Sequence, residues 1–166
     1  MMQKKICLVG AFAVGKTSLA ARFVQGIFSE KYLTTIGVKI DRKVVRARER
    51  DLALLVWDIA GEDEFHRVEA DYLRGASGYL LVADGTRRGT LDTAIALQQR
   101  IESALGPAPF ALLLNKADLA EQWEIADADL APLRGRGWEL LRTSARNGEQ
   151  VEAAFASLAE RMVPVC

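Results

Sequence analysis

Gly10-Ala11-Phe12-Ala13-Val14-Gly15-Lys16-Thr17 constrains this chain more than any other stretch of it. The octet matches G-x-x-x-x-G-K-[ST] and lies between an apolar run, Lys5 to Val9, and a run of helical period that begins at Lys16. A strand must turn sharply into a helix here. Glycine at 10 and 15 permits backbone angles that a Cβ forbids, so successive N–H groups can point into one concavity beside the positive end of the helix. Such a concavity holds phosphate oxygens. Ala13, Val14, Gly15, Lys16, Thr17 and Ser18 are its expected lining, with Lys16 supplying charge to the β and γ phosphates. The Thr17 hydroxyl suits Mg²⁺, a hard cation that prefers oxygen. The competing reading is a tightly packed turn of small residues, against which Lys-Thr stands at the required place. The loop alone serves kinases, ATPases and GTPases equally well.

Strand-length apolar runs alternate with helical segments along the rest of the chain, the pattern of an α/β fold. Strands are expected at Lys5 to Val9, Val38 to Arg48, Leu52 to Asp58, Gly78 to Ala83, Phe110 to Asn115 and Trp138 to Thr143. Only Glu49-Arg50-Asp51 separates the second from the third, too short for a crossover helix, so these two should pair antiparallel. The expectation is a P-loop NTPase fold: a mixed six-stranded sheet, one strand antiparallel, with helices on both faces. Helices are expected at Lys16 to Gln25, Glu62 to Arg74, Arg88 to Leu105 and Glu149 to Arg161, with a further piece around Asp127 to Arg134 interrupted by Pro132. Val151, Ala154, Phe155, Leu158 and Met162 share one apolar face. With no repeat or Pro/Gly-rich linker, residues 1–166 read as one domain.

Lys+Arg and Asp+Glu number 22 each, so no excess positive field draws the protein to nucleic acid or acidic lipid. Cys7 and Cys166 form neither a disulfide framework nor a metal-ligand spacing, which points to a reducing, cytoplasmic setting. The alternation of Arg42, Lys43, Arg46, Arg48 and Arg50 with Val44, Val45 and Ala47 reads as the wet side of an edge strand rather than a phosphate-binding one.

Asn115-Lys116-Ala117-Asp118 follows directly on the apolar run Phe110 to Leu114, at the carboxyl end of a strand, where ligands of open α/β sheets bind. An aspartate accepts from both N1–H and the 2-amino group of guanine, a pair of donors adenine lacks, so Asp118 is the expected purine selector. By itself the tetrad also reads as a polar capping loop. In this order behind a phosphate loop, the motifs make the chain from Lys5 to about Arg161 resemble a Ras-superfamily small GTPase. Tyr32-Leu33-Thr34-Thr35-Ile36-Gly37-Val38, Trp57-Asp58-Ile59-Ala60-Gly61-Glu62, Tyr72-Leu73-Arg74-Gly75-Ala76 and Asp84-Gly85-Thr86 resemble its Rab branch. The resemblance implies a GTP/GDP switch. It implies that Phe28 stacks on the base, that Asn115 and Lys116 brace it, and that Thr143-Ser144-Ala145-Arg146 forms the last guanine loop, with Arg146 in place of Lys. It also implies that Thr17, Thr35 and Asp58 serve Mg²⁺, Asp58 through a bound water, and that Gly61 meets the γ-phosphate. Effector, exchange-factor and activating proteins would then read the segments around Thr35 and Gly61. Trp57, Phe65 and Tyr72 lie beside these segments and read either as docking surface or as core.

Several positions depart from the branch: Ile40 stands for Phe, Ile59 for Thr, and two further changes bear on chemistry. Glu62 takes the place of the water-orienting Gln, bringing a carboxylate with no N–H to donate beside a transition state already rich in negative charge. Phe12 stands inside the phosphate loop where Gly or Ser is usual, and its ring would crowd the γ-phosphate face and obstruct an incoming arginine. Slow, Mg-dependent hydrolysis is the expectation, with Glu62, Lys16 and Gly61 as the catalytic set. The alternative is a nucleotide-locked module that presents one fixed surface. An ATP-dependent small-molecule kinase fits less well, given the guanine tetrad. His66, the single histidine, reads as solvated surface. Val163-Pro164-Val165-Cys166 is not C-a-a-X and follows no polybasic stretch, so no lipid anchor is expected.

Overall fold

A computed structural model of the 166-residue chain describes residues 1–26, 38–59 and 70–164. Its strands are β1 (Met2–Gly10), β2 (Val38–Ala47), β3 (Arg50–Ile59), β4 (Ala76–Asp84), β5 (Phe110–Asn115) and β6 (Leu140–Arg142). Its α-helices are α1 (Lys16–Gln25), α2 (Ala70–Leu73), α3 (Gly89–Leu105), α4 (Asp127–Gly135) and α5 (Val151–Met162), and a 3₁₀ helix covers Ala117–Gln122. The strands form one sheet in the order β2-β3-β1-β4-β5-β6, parallel throughout except where β2 pairs antiparallel with β3. The expected mixed sheet is therefore present.

Apolar residues on alternate sides of the strands build two cores. On one face Ile6, Leu8, Leu54, Val56, Leu80 and Val82 pack against α1 and α5. There the rings of Phe23 and Phe155 stack at 3.8 Å between centroids and 2° between planes. On the other face Cys7, Val9, Tyr79, Leu81, Leu112 and Leu114 pack against α3 and α4. All five apolar residues expected on the face of α5 are buried.

Four details differ from expectation. The β2–β3 turn is Arg48-Glu49, not Glu49-Arg50-Asp51: both residues have positive φ (48° and 64°) and Ala47 pairs with Arg50, a two-residue primed turn that matches the twist of the strands. Neither residue is glycine or asparagine, and α5 supports the strained turn: Glu160 Oε1 accepts from Arg48 N at 3.2 Å, and Glu160 O from Arg48 Nε at 2.8 Å. Lys43 does not lie on the wet side. Alternation puts Ile40, Arg42, Val44 and Arg46 outward, while Lys43 turns towards the α1–α5 face, with Nζ 2.8 Å from Glu152 Oε1 and 4.2 Å from the Phe23 ring. The strand expected at Trp138 to Thr143 shortens to Leu140–Arg142.

The interrupted piece is a regular helix, α4, because Leu130 and Leu133 are buried while Pro132 faces solvent. Asp129 Oδ2 accepts the Ala126 N–H at 2.9 Å, satisfying one of its orphan donors. Of the helix expected from Glu62 to Arg74, α2 is the described portion. Phe28, Thr35, Gly61, Glu62, Phe65, His66 and Cys166 lie outside the described residues.

The register aligns the site. Leu8 pairs with Asp58, Gly10 with Val82, and Asp84 with Asn115, so the carboxyl ends of β1, β3, β4 and β5 open on one edge of the sheet.

Candidate nucleotide site

At that edge the chain leaves β1, forms the phosphate loop and enters α1. Gly15 is the φ > 0 position expected there (102°), and a Cβ on it would lie 2.3 Å from Asn115 Nδ2. Gly10 serves differently from expectation: its φ is not positive, and glycine is required because a Cβ would meet the Val82 carbonyl at 2.4 Å. The second left-handed residue is instead Ala13, at φ 61°. A non-glycine residue in that region is uncommon and persists when its surroundings over-determine it.

Three side chains from the neighbouring strand ends supply that determination. Arg87 Nη2 donates to Phe12 O at 2.8 Å, Lys116 Nζ to Ala13 O at 3.2 Å and Asn115 Nδ2 to Val14 O at 2.9 Å. A trans peptide points its C=O and N–H in opposite directions, so each carbonyl held from outside turns the next N–H inward. Three successive carbonyls of the loop are thus held by side chains from outside it. Val14 is fully buried, Lys16 is 7% exposed with Nζ 3.5 Å from Ala11 O, and Ser18 is half-buried in the first turn of α1. Phe12 is 52% exposed.

Thr17 Oγ1 donates to Asp58 Oδ2 at 2.5 Å, and Asp58 is buried. A hydroxyl and a carboxylate side by side next to the phosphate loop are hard oxygen donors and fit Mg²⁺.

The base loop is built on Asn115. Its Oδ1 accepts from Thr143 Oγ1 at 3.1 Å and from Ala145 N at 3.3 Å, which ties the Asn-Lys-x-Asp tetrad to the loop after β6. Ser144 Oγ donates to Asp118 Oδ1 at 2.7 Å and orients the carboxylate. Ser144 is itself fully buried. Ala145 is buried and Arg146 exposed, and Arg22 of α1 reaches both of their carbonyls, Ala145 O at 2.8 Å from Nε.

Asp84 and Arg87 went unread in the sequence as site residues. Asp84, 1% exposed, accepts from Lys116 Nζ at 2.8 Å, Arg87 Nε at 3.0 Å, and Thr86 N and Oγ1. Burial alone would raise its carboxyl, but hydrogen bonds from Lys116, Thr86 and Arg87 together hold it below the usual range. A carboxylate closing the apolar run Gly78 to Ala83 was the signal available. Next to it Gly85 leaves room for Trp123: a Cβ there would fall 2.0 Å from the indole, whose ring also has the Arg142 guanidinium 4.8 Å from its centroid.

Trp57 and Tyr72 are half-buried and pack on the α3–α4 core, with Lys5 Nζ 3.6 Å above the Trp57 ring. Both thus rest on core.

The sequence profile of the Ras family matches residues 5–164. Ras-related protein Rab-1 of Theileria parva is 33% identical over 162 residues, 95% of this chain and 73% of that protein. Ras-related protein Rab-4 of Dictyostelium discoideum is 33% identical over 153 residues (91% and 75%), and Ras-related protein Rab-13 of Canis lupus familiaris 33% over 157 (93% and 77%). The chain belongs to the Ras family, as a Rab-like small GTPase. Family membership brings with it a guanine-nucleotide switch that uses GTP, GDP and Mg²⁺. Among the described residues no helix is long and apolar enough to cross a membrane.

Proposed function

We propose that this chain is a cytosolic GTP/GDP switch that hydrolyses GTP slowly unaided and is read by effector, exchange and activating proteins at the segments around Thr35 and Gly61. The observation that carries the reading is the direct linkage of the two loops: Asn115 and Lys116, next to the purine selector Asp118, also hold the carbonyls of Val14 and Ala13. Base and phosphates would be grasped by one rigid unit.

In this reading Asp118 accepts the two guanine donors, Asn115 and Lys116 brace the base with Phe28, and Ser144, Ala145 and Arg146 close its far side. The N–H groups from Ala13 to Ser18 and the Lys16 ammonium neutralise the phosphates. Thr17, Thr35 and Asp58 would hold Mg²⁺, which neutralises charge on the phosphate oxygens as the γ-phosphoryl leaves. By the family resemblance Gly61 would let its N–H approach the γ-phosphate, and Glu62 would take the place of the residue that orients a water. A carboxylate can accept from that water but donates nothing to the transition state, and it adds repulsion there.

Single-turnover hydrolysis of GTP preloaded on the full chain tests this. Glu62→Gln is expected to accelerate conversion to GDP at least about tenfold, the scale of one well-placed donor; equal rates would overturn this account of Glu62. The half-exposed Phe12 on the phosphate loop favours a second reading, a nucleotide-locked module. GTP persisting unchanged for hours in both the parent chain and Glu62→Gln would establish it.

A further inference from the structure

Arg87 belongs to neither the phosphate-loop octet nor the guanine tetrad, yet it grips the phosphate loop. Its Nε lies 3.0 Å from Asp84 Oδ2 and its Nη2 donates to Phe12 O at 2.8 Å, across 75 positions of sequence. The planar fork allows both contacts at once, which a lysine ammonium on a flexible stem cannot reproduce. Asp84 is nearly fully buried at the end of β4 and receives Lys116 on its other side, so the guanidinium is anchored to the rigid sheet. The peptide it holds, Phe12–Ala13, precedes the strained left-handed Ala13. It is the first of the three clamped peptides, the one furthest in sequence from α1.

We propose that Arg87 is a positioning residue for the polyphosphate: anchored by Asp84, it holds the Phe12 carbonyl outward and thereby aims the Ala13 N–H at the phosphates beyond the first. The inference rests on the guanine-nucleotide reading above and adds to it a residue outside the recognised motifs. It accounts for how a loop carrying phenylalanine at position 12 and a left-handed alanine at 13 keeps a binding geometry. Asn115 and Lys116 tie the same loop to the base; Arg87 acts on its phosphate end.

The test is a phosphate ladder on the full chain with Mg²⁺. Affinities for GMP, GDP and GTP are measured by displacement of a fluorescent GDP analogue from the parent, Arg87→Met and Arg87→Lys. Loss of one charge-assisted hydrogen bond within the loop is expected to weaken GDP and GTP about tenfold in Arg87→Met. GMP should change less than about twofold, guanine should stay preferred over adenine, and Arg87→Lys should recover part of the loss. A merely structural role would weaken GMP and GDP alike, and that result, or no change for any nucleotide, overturns the assignment while leaving the switch reading intact. Failure of the parent chain to bind GDP would overturn both.

Discussion

The phosphate loop and the base loop meet at the ends of β1 and β5, and they are held by opposite means. In the proposed function the phosphate loop works through backbone: Ala13 and Gly15 are left-handed, and side chains from elsewhere hold the carbonyls of Phe12, Ala13 and Val14. In the same proposal the base loop works through side chains: Asn115 and Asp118 are hydrogen-bonded by the hydroxyls of Thr143 and Ser144, both wholly buried. The difference predicts two kinds of fragility. Phosphate binding fails when backbone geometry is disturbed, whatever the new side chain's chemistry, whereas base selection fails when chemistry changes at constant shape.

The largest effect should come from Gly15→Ala. The added Cβ meets Asn115 Nδ2 at 2.3 Å and strains a φ of 102°, so it disturbs both loops at once. GDP affinity by calorimetry is expected to fall about a thousandfold, the sum of backbone strain and a displaced buried hydrogen bond; a loss below tenfold would show that the loop is more pliable than this contrast allows. Asp118→Asn comes next. The shape is kept and the acceptor pair lost, so GDP affinity should drop about a hundredfold while inorganic triphosphate competes as it does with the parent. A matching loss of triphosphate binding would erase the distinction between the loops.

The smallest effect concerns Asp84, which serves both loops through Lys116 and Arg87. Its folded-state pKa is lowered, so the stabilisation is present above the unfolded value of about 3.9 and is lost as pH falls through the lower folded value. Melting of the parent should therefore decline more steeply than that of Asp84→Asn as pH drops from about 5 to 3, the two curves converging by a few degrees. Parallel curves would remove Asp84 as the shared anchor.

Much of this was legible in the sequence because local chemistry and tertiary need agree. Lys16–Gln25 and Phe110–Asn115 fall where periodicity and flanking motifs place them. The octet is marked by Lys-Thr at the required place, and the tetrad, which by itself also reads as a capping loop, gains its meaning from standing behind that octet. What was hidden depends on long-range placement. Gly10 is needed for the Val82 carbonyl, a neighbour 72 positions away that only the β1–β4 register reveals. The turn at Arg48-Glu49 lacks the expected turn residues because its support comes from α5. Arg87 drew no reading at all, since nothing local shows that its fork spans Asp84 and Phe12.

Gly85 and Trp123 carry a consequence for how such a chain can change over evolutionary time. The indole fills the space that a side chain at 85 would need, and the Arg142 guanidinium lies against the same ring. The two positions are thus coupled: any side chain at 85 needs Trp123 to be moved or exchanged for something smaller. Either step taken alone passes through an overpacked or a hollow intermediate.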